Sequence, residues 1–197
     1  SSSAAQHSQS LEAWFAHIPG LVVVAPSTPA DNHGLLLAAL ASGDPVVYME
    51  HKELWATPGP VTPGEVVPLG KARVAREGSD VTIVSWSRQM QSCLDAAEQL
   101  ATQGVQAEVI DLRTIWPWDK AAVLASVAKT GRLLVVHEAI RVAGFGAEIA
   151  ATVAEETSAR VARLGAPRIP VGYAPTLEAE ARVGAAQIVA AAQKLMA

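Results

Sequence analysis

Short runs of consecutive apolar residues alternate along the chain with longer segments in which apolar residues recur at helical spacing. The short runs are typical of strands buried on both faces of a sheet, and the longer segments of helices with one apolar face. The predicted strands are 21–25, 46–50, 81–85, 105–112, 133–136 and, more weakly, 162–164. The predicted helices are 8–17, 28–43, 89–103, 119–129, 146–156 and 177–196. Because strands alternate with helices, the pattern predicts an α/β fold built on a parallel, two-sided sheet.

A segment rich in proline and glycine, residues 56–70, interrupts this alternation and is predicted to be an extended linker. We therefore expect a first part, 1–55, then the linker, and then a domain, 71–197, that begins with an entry strand and a tight turn. The second domain has enough elements to stand alone. The first part has only two strands and two helices, so an upstream segment or a partner subunit must cover its sheet edge.

The composition favours a well-cored globular protein and narrows the function classes. Hydrophobic residues make up 50% of the 197 positions and charged residues 17%, which argues against disorder. A net charge of −4 without a basic tract argues against nucleic-acid binding, and the apolar runs are too short to span a bilayer. The single cysteine, Cys93, excludes a disulfide framework and is expected to be a buried core residue of a cytoplasmic protein. Nothing near Ser1 resembles a signal peptide, and the sequence leaves open whether Ser1 is a natural start.

Histidine is the most informative residue type for chemistry in this chain. No pair has the spacing of a helical zinc site among the five histidines, which are His7, His17, His33, His51 and His137. Histidine titrates near neutral pH, so one in a cleft can move a proton or hold an anion. His7 is the candidate for such a role, because Gln6, Ser8 and Gln9 could orient its ring. A structural role is the alternative for each, and it is favoured for His17.

Three other motifs carry weaker signals. Gly144-Phe145-Gly146 opens a helix after a strand and could bind phosphate, but a close packing turn is favoured because Glu148 would repel an anion. Residues 111–114 end a strand, where α/β sheets present functional groups, although an ion pair within the domain is equally open. Trp116 and Trp118 are expected to pack at a hinge or an interface.

The order of segments along nearly the whole chain resembles the β-subunit of thiamine diphosphate-dependent 2-oxoacid dehydrogenases of the pyruvate and branched-chain type. The segments that carry this resemblance are 6–9, 14–21, 26–31, 44–47, 50–54, 68–72, 76–84, 108–114, 129–132 and 144–149. The resemblance implies that residues up to about Trp55 form the rear of a pyrimidine-binding α/β domain. Residues from about Gly70 would form a three-layer transketolase C-terminal-like domain with a parallel sheet.

The resemblance also implies a reaction and a set of partners. In the family, the α-subunit binds the diphosphate and its Mg²⁺, and the β-subunit contacts the aminopyrimidine. A 2-oxoacid loses carbon dioxide, and the acyl group passes to a lipoyl arm. The partners implied are an α-subunit and a second β-subunit, in an α2β2 assembly, and the lipoyl acyltransferase core. His7 matches the active-site histidine of the family, a role that suits a group able to stabilise negative charge or donate a proton.

A potassium site is a further implication of the resemblance. The family's β-subunit commonly holds K⁺ near the end of the helix that precedes the Asp-Pro strand, and the corresponding residues here are Ala39, Leu40, Ser42 and Asp44. Carbonyl groups at a helix end are suitable hard oxygen ligands. Ser42 stands where an acidic residue is expected, and the alternative is an ordinary helix end.

The chain departs from the family pattern in two ways. The glutamate that activates the aminopyrimidine belongs upstream and has no counterpart here, so we expect a portion of a larger subunit that is inactive alone. The stretch 156–167 is shorter than in the family, which affects docking to the acyltransferase core. Two alternatives stay open: an acetoin dehydrogenase β-subunit, which uses the same subunit plan, and a non-catalytic docking module for the acyltransferase core. The sequence does not separate pyruvate, branched-chain oxoacids and acetoin as substrates.

Overall fold

The computed structural model describes residues 3–197, so the question raised by Ser1 lies outside the described residues. The strands are β1 (Val22–Val24), β2 (Val46–Tyr48), β3 (Arg73–Arg76), β4 (Val81–Ser85), β5 (Ala107–Asp111), β6 (Thr114–Trp116), β7 (Arg132–Ile140) and β8 (Arg160–Ala166). The α-helices are α1 (Ala4–His7), α2 (Glu12–Ala16), α3 (Pro29–Ala41), α4 (Gln89–Ala101), α5 (Lys120–Thr130), α6 (Gly146–Glu156), α7 (Pro175–Glu180) and α8 (Ala185–Met196). A short 3-10 helix, Lys52–Leu54, follows β2.

The larger sheet has five strands in the order β3-β5-β4-β7-β8. Strands β5, β4, β7 and β8 are parallel, and β3 pairs antiparallel with β5 at one edge. Alternate residues of β4 point to opposite faces: Ile83 packs with the apolar sides of α4 and α8, and Val84 with those of α5 and α6. The predicted three-layer α/β fold with a mostly parallel sheet is confirmed, because both faces of β4 need apolar cover.

The smaller sheet joins the two parts of the chain. Its order is β2-β1-β6, with β1 and β2 parallel and β6 antiparallel to β1. Strand β6 was not predicted, because three residues after a strand end are too short for a periodic signal. The prediction that 46–50 is a buried strand is wrong in one respect: β2 is half-buried, since it is an edge strand of this sheet among residues 3–197.

Side chains or a glycine close several helix ends. The Thr28 hydroxyl accepts the Asp31 N–H at the start of α3, and the Asp119 carboxylate accepts the Ala122 N–H at the start of α5. Gly131 ends α5 with a φ of 67°, a left-handed conformation that glycine adopts at little cost. Helix α6 spans the predicted range.

Two predicted helices are each divided in two. The segment 8–17 is not one helix, because α1 ends at His7 and α2 begins only at Glu12. The segment 177–196 is broken between α7 and α8, where the side chain of Gln187 accepts the Gly184 N–H. The weakly predicted strand 162–164 is the seven-residue β8.

The shortened stretch 156–167 forms regular structure. Thr157 closes α6: its N–H and its hydroxyl both donate to the carbonyl of Val153, at 2.9 and 2.8 Å. Its hydroxyl also accepts the N–H of Ala159 at 3.1 Å, and β8 begins at the next residue. The connection between α6 and β8 therefore needs only residues 157–159.

The linker 56–70 contains no helix or strand, as predicted, and it lies along α3. The Val67 N–H donates to the Gly34 carbonyl at 3.1 Å, and the Gly64 N–H donates to His33 Nε2 at 3.2 Å. A Cβ at Gly34 would lie 2.5 Å from the Val67 side chain, so this glycine allows the close approach. His33 therefore has a structural contact.

Buried charges connect the two parts of the chain. Arg113 Nη1 donates to Asp31 Oδ1 at 2.9 Å, and Arg73 Nη2 lies 3.1 Å from Asp111 Oδ2 and 3.3 Å from Asp31 Oδ2. The Ser27 hydroxyl also donates to Asp111. Of the two interpretations of residues 111–114, an ion pair within the domain therefore applies to Asp111, whereas Arg113 reaches across to α3.

Candidate functional site

A cleft of about 430 Å³ lies where the carboxyl ends of strands from both sheets meet. Its walls include residues 50–52 after β2, residues 138–140 at the end of β7, and residues 168–171 after β8. The segment 7–11 forms a further wall. Open α/β sheets bind ligands outside the carboxyl ends of their strands, so the position of this cleft is that of a functional site.

His7 is the last residue of α1, is exposed, and lines this cleft together with Ser8 and Gln9. The Gln9 side chain donates to the carbonyl of Ala5 at 3.1 Å, a contact that keeps it on the backbone of α1. Gln9 therefore stabilises the helix that carries His7 and does not orient the imidazole ring as predicted. An exposed imidazole at the mouth of a cleft is free to meet a ligand, and the catalytic role of His7 stays a prediction.

A second histidine, His51, lies deeper in the same cleft. Its Nδ1 accepts the N–H of Glu53 at 3.2 Å, and its Nε2 lies 3.0 Å from Glu138 Oε2. Because Nδ1 accepts a hydrogen bond, the ring proton lies on Nε2 and is donated to Glu138. Burial works to raise the pKa of Glu138, but the hydrogen bond from His51, together with the charges of His51, Arg182 and Arg88, holds that pKa below its usual value.

Another acidic residue, Glu12, is buried in the first turn of α2. Trp86 Nε1–H donates to Glu12 Oε1 at 2.8 Å, across 74 positions of sequence. Burial raises the pKa of the Glu12 carboxyl, and the nearby charge of Glu138 raises it further. The hydrogen bond anchors the segment that follows His7 to the C-terminal domain.

Arg182, in the break between α7 and α8, lines the cleft together with Glu138 and Glu178, and these three residues form its charged wall. It donates to both carboxylate oxygens of Glu53, at 2.5 and 3.2 Å, and to Glu178 at 2.9 Å. Its hydrogen bonds lower the pKa of Glu53 to about 2. Arg88 Nε lies 3.3 Å from the same Glu53 carboxylate, so the 3-10 helix after β2 is fixed to the C-terminal domain.

The glycine-rich turn 144–146 packs around a buried histidine. A Cβ at Gly144 or Gly146 would lie 2.7 or 2.6 Å from the ring of His137, and one at Gly165 would lie 2.7 Å from it. Trp86 stacks on the ring with centroids 5.4 Å apart. These contacts support the close packing turn over the phosphate-binding alternative, because the imidazole occupies the space beside the glycines.

The residues predicted to hold potassium form a tight helix end. The Ser42 N–H donates to the Ala39 carbonyl at 3.2 Å, and the Asp44 N–H donates to the Ser42 hydroxyl at 3.1 Å. Leu40 and Asp44 are exposed. These contacts are those of an ordinary helix end, and they leave the second lone pair of each oxygen available, so the potassium site stays a prediction.

Neither a metal-binding cluster nor a membrane-spanning helix is present in the described part of the chain. Within residues 3–197, no group of three or more His, Cys, Asp or Glu side chains is arranged to hold a metal ion. None of the helices described for this part of the chain is long and apolar enough to cross a membrane. The single cysteine is buried in α4, as predicted.

Sequence reasoning missed three residues of the cleft, His51, Glu138 and Arg182, and it also missed Glu12 beside the cleft. A positional signal existed for two of them, since His51 and Glu138 each follow a predicted strand closely, where functional groups of parallel sheets lie. Glu12 gave no such signal, because its burial depends on the distant Trp86.

Comparison with known proteins identifies the class. The family profile "Transketolase, C-terminal domain" matches residues 70–188, and "Transketolase, pyrimidine binding domain" matches residues 1–58. A solved structure titled "Split gene transketolase, inactive beta4 tetramer" superposes with a TM-score of 0.83 at 25% identity, covering 98% of this chain and 63% of that one. The chain therefore belongs to the transketolase family.

Within that class, several similar proteins are named as β-subunits of oxidoreductases and dehydrogenases. The acetoin:2,6-dichlorophenolindophenol oxidoreductase subunit beta of Cupriavidus necator is 46% identical over 98% of this chain and 59% of that protein. The mitochondrial pyruvate dehydrogenase E1 component subunit beta of Dictyostelium discoideum is 43% identical over 97% and 56%, respectively. The 2-oxoisovalerate dehydrogenase subunit beta of Bacillus subtilis is 41% identical over 96% and 60%. The resemblance seen in the sequence is confirmed, and the chain spans somewhat more than half the length of these relatives.

Proposed function

We propose that this chain is the rear portion of the β-subunit of a thiamine diphosphate-dependent 2-oxoacid dehydrogenase. The complete enzyme would decarboxylate a 2-oxoacid oxidatively and transfer the acyl group to the lipoyl arm of an acyltransferase. The observation that carries the proposal is the position of His7 at the cleft formed by the carboxyl ends of β2, β7 and β8. Relatives named as pyruvate and 2-oxoisovalerate dehydrogenase β-subunits support it.

The described residues fit one side of the cofactor site. The cleft has a polar wall that includes His7, Ser8 and His51 and an apolar wall that includes Ile140 and Val142, which suits a reacting centre and an acyl chain. When bound, thiamine diphosphate supplies a carbanion that adds to the 2-oxoacid and accepts its electrons. The diphosphate and its Mg²⁺ would be held by the upstream segment and the α-subunit.

His7 would act on charge and protons in the cleft. Its exposed imidazole would stabilise the carboxylate of the 2-oxoacid when protonated, and it would donate a proton to sulfur during acyl transfer to the lipoyl group. The polar segment 8–10 continues the same wall and would bind the oxygen atoms of the substrate.

We further propose a monovalent cation site at the end of α3. K⁺ would be bound by oxygen atoms of Ala39, Leu40, Ser42 and Asp44, with the helix-end carbonyls as its main ligands. The fixed turn that the Ser42 and Asp44 hydrogen bonds create supports this assignment, because a preformed loop of oxygen atoms loses little entropy on binding.

The proposed partners are an α-subunit, a second β-subunit and the lipoyl acyltransferase core, with a boundary between domains 1–55 and 71–197 at the linker. Exposed large apolar side chains support such contacts; they include Trp14, Leu40, Trp55 and Tyr173. We propose the cytoplasm as the location, although the Dictyostelium relative is mitochondrial by name.

Two alternative functions are also considered. An acetoin dehydrogenase β-subunit is supported by the Cupriavidus relative, which matches 98% of this chain, against 97% for the Dictyostelium relative. A non-catalytic docking module for the acyltransferase core would need only the second domain and no ligand in the cleft.

Substrate oxidation by the complete enzyme separates these possibilities. The full-length subunit, assembled with its α-subunit, is supplied with thiamine diphosphate, Mg²⁺ and the dye 2,6-dichlorophenolindophenol. We expect dye reduction with pyruvate or a branched-chain 2-oxoacid. Faster dye reduction with acetoin than with either acid would favour the acetoin dehydrogenase. No dye reduction with any of the three substrates would favour the non-catalytic docking module.

A further inference from the structure

A second cavity of about 100 Å³ adjoins the His7 cleft. Residues that line both spaces connect them; these residues are Gln9, Ser10, Glu50, His51 and Glu138. Glu12, Trp86 and Ser87 form much of the remaining wall. A polar space of this size has room for water, which can carry a proton between groups that do not touch.

The hydrogen bonds around this cavity determine which oxygen atoms can hold a proton. Trp86 Nε1–H occupies Glu12 Oε1, and His51 Nε2–H occupies Glu138 Oε2. A carboxylate that accepts from an imidazole N–H is favoured as the ionised form. Glu12 accepts from a neutral indole and from its own backbone N–H, and its carboxyl group keeps lone pairs that can carry a proton.

The charged groups that face the two carboxyl groups move their pKa values further apart. Glu12 faces Glu138 and His51, while Glu138 also faces Arg182 and Arg88. Burial raises the pKa of Glu12, whereas His51 and the two arginines lower that of Glu138 despite its burial. A pair of acids whose environments push their pKa values apart is the usual arrangement for a proton donor beside an ionised partner.

Backbone strain occurs at the same place. Ser87, which lines the small cavity, has a φ of 53°. This left-handed value is energetically unfavourable for a residue that has a side chain. Strained residues cluster at functional sites, so this outlier is an independent sign that the cavity is more than a packing defect.

We propose that Glu12 and Glu138, with His51 in the wall of the same cavity, are positioning residues that hold an exchangeable proton beside the His7 cleft. The inference rests on the proposed function, in which a sulfur atom released from the lipoyl disulfide takes up a proton. After His7 has donated its proton to that sulfur atom, a proton would leave Glu12, pass through cavity water to the imidazole of His7, and leave Glu12 as a carboxylate. Solvent in the cleft would then return a proton to Glu12.

Glu12→Gln in the complete assembled enzyme tests the proposal, because the amide oxygen still accepts from Trp86 but the side chain cannot release a proton. With a lipoyl domain as acceptor, we expect kcat to fall about tenfold or more and KM for the 2-oxoacid to change little. Added formate, which is small enough for the cavity, should restore part of the rate. The dependence of kcat on pH should also lose one titration step.

The matched control is Glu108→Gln, which removes a buried carboxylate of β5 that pairs with Lys129 outside the cleft. It should lower stability without changing the pH profile or creating a response to formate. If Glu12→Gln does not fold, Glu138→Gln is measured instead: it removes the negative charge that raises the pKa of Glu12, so the titration step assigned to Glu12 should move to lower pH, and an unmoved step would overturn the proposal.

The outcomes distinguish this inference from the proposed function. If the wild-type enzyme acylates lipoyl domains and the Glu12→Gln enzyme does so with the same rate and pH profile, the proton site is overturned but the proposed function is not. A slowed variant that formate does not rescue, with an unaltered profile, would also overturn it. A wild-type assembly that fails to oxidise any 2-oxoacid would overturn both.

Discussion

At the scale of single residues, His137 is the most constrained side chain of the C-terminal domain. It is fully buried, its Nδ1 lies 3.0 Å from the Ala139 carbonyl, and three glycines and Trp86 enclose its ring. Burial lowers the pKa of this imidazole to about 4. The ring is therefore neutral in the folded protein at neutral pH, and protonating it would place an unpaired charge in the core.

This burial predicts an acid-dependent loss of stability. Between about pH 6.5 and pH 4 the unfolded chain binds a proton at His137 that the folded chain does not, so stability falls as pH falls through that range. Relative to a His137→Phe variant, the wild type should lose roughly 2 kcal/mol of unfolding free energy between pH 7 and pH 4.5. Urea denaturation of the complete subunit at several pH values measures this. A constant difference at every pH would contradict the assignment.

His7 predicts an effect on activity without an effect on folding. It is exposed at the end of a short helix, so His7→Ala should leave the unfolding free energy within about 0.5 kcal/mol of the wild type. In the complete enzyme, the same change should reduce lipoyl acylation by about a hundredfold, the usual scale for a lost proton donor. His17→Ala, at another exposed histidine outside the cleft, is the matched control. Equal turnover of the two variants would remove His7 from the active site.

At the scale of elements, the ends of strands and helices are where local sequence and tertiary contacts agree least. The caps of α3 and α5 were predictable because a Thr or Asp side chain satisfies a nearby N–H. The division of 177–196 into α7 and α8 was not, because Arg182 in the break is held by Glu53 from a distant segment. The candidate site divides in the same way: His7 was found through a family resemblance, and Glu12 depends on a contact that no local pattern encodes.

The link between α3 and the C-terminal domain gives the prediction at this scale. Asp31 is buried and accepts from Arg113 at 2.9 Å, so Arg113→Met leaves a buried carboxylate with fewer partners. The loss should be about 3 kcal/mol of unfolding free energy, measured by denaturation of the complete subunit. Lys120→Met, which removes one side of the exposed pair with Glu156, should cost less than about 1 kcal/mol. A smaller loss for Arg113→Met than for Lys120→Met would rule out this link as a main connection.

At the scale of the whole molecule, the cleft is lined by residues from both parts of the chain, 1–55 and 71–197. Residues 1–197 supply His7 and the charged wall but only part of the length of their relatives. The mostly parallel sheet was predictable because apolar runs alternate with helices throughout. The position of the cleft was not, since it depends on how two sheets meet.

The proposed function predicts a difference between residues 1–197 alone and the assembled full-length subunit. Residues 1–197 alone should bind thiamine diphosphate with Mg²⁺ too weakly for calorimetry at micromolar concentrations. The full-length subunit with its α-subunit should bind it in that range. Because apolar residues such as Trp14 and Trp55 are exposed, the piece should also self-associate as its concentration rises. Tight cofactor binding by a monomeric piece would contradict the proposal.

Strand β6 has a consequence for how this chain could be divided. It comes from the C-terminal part of the sequence, yet it pairs with β1, while the linker 56–70 lies exposed over much of its length along α3. A protease that cuts the linker would therefore produce two pieces that remain associated, because the pairing of β6 with β1 does not pass through the cut. The same position is where a gene for this protein could be separated into two reading frames whose products reassemble without a covalent connection.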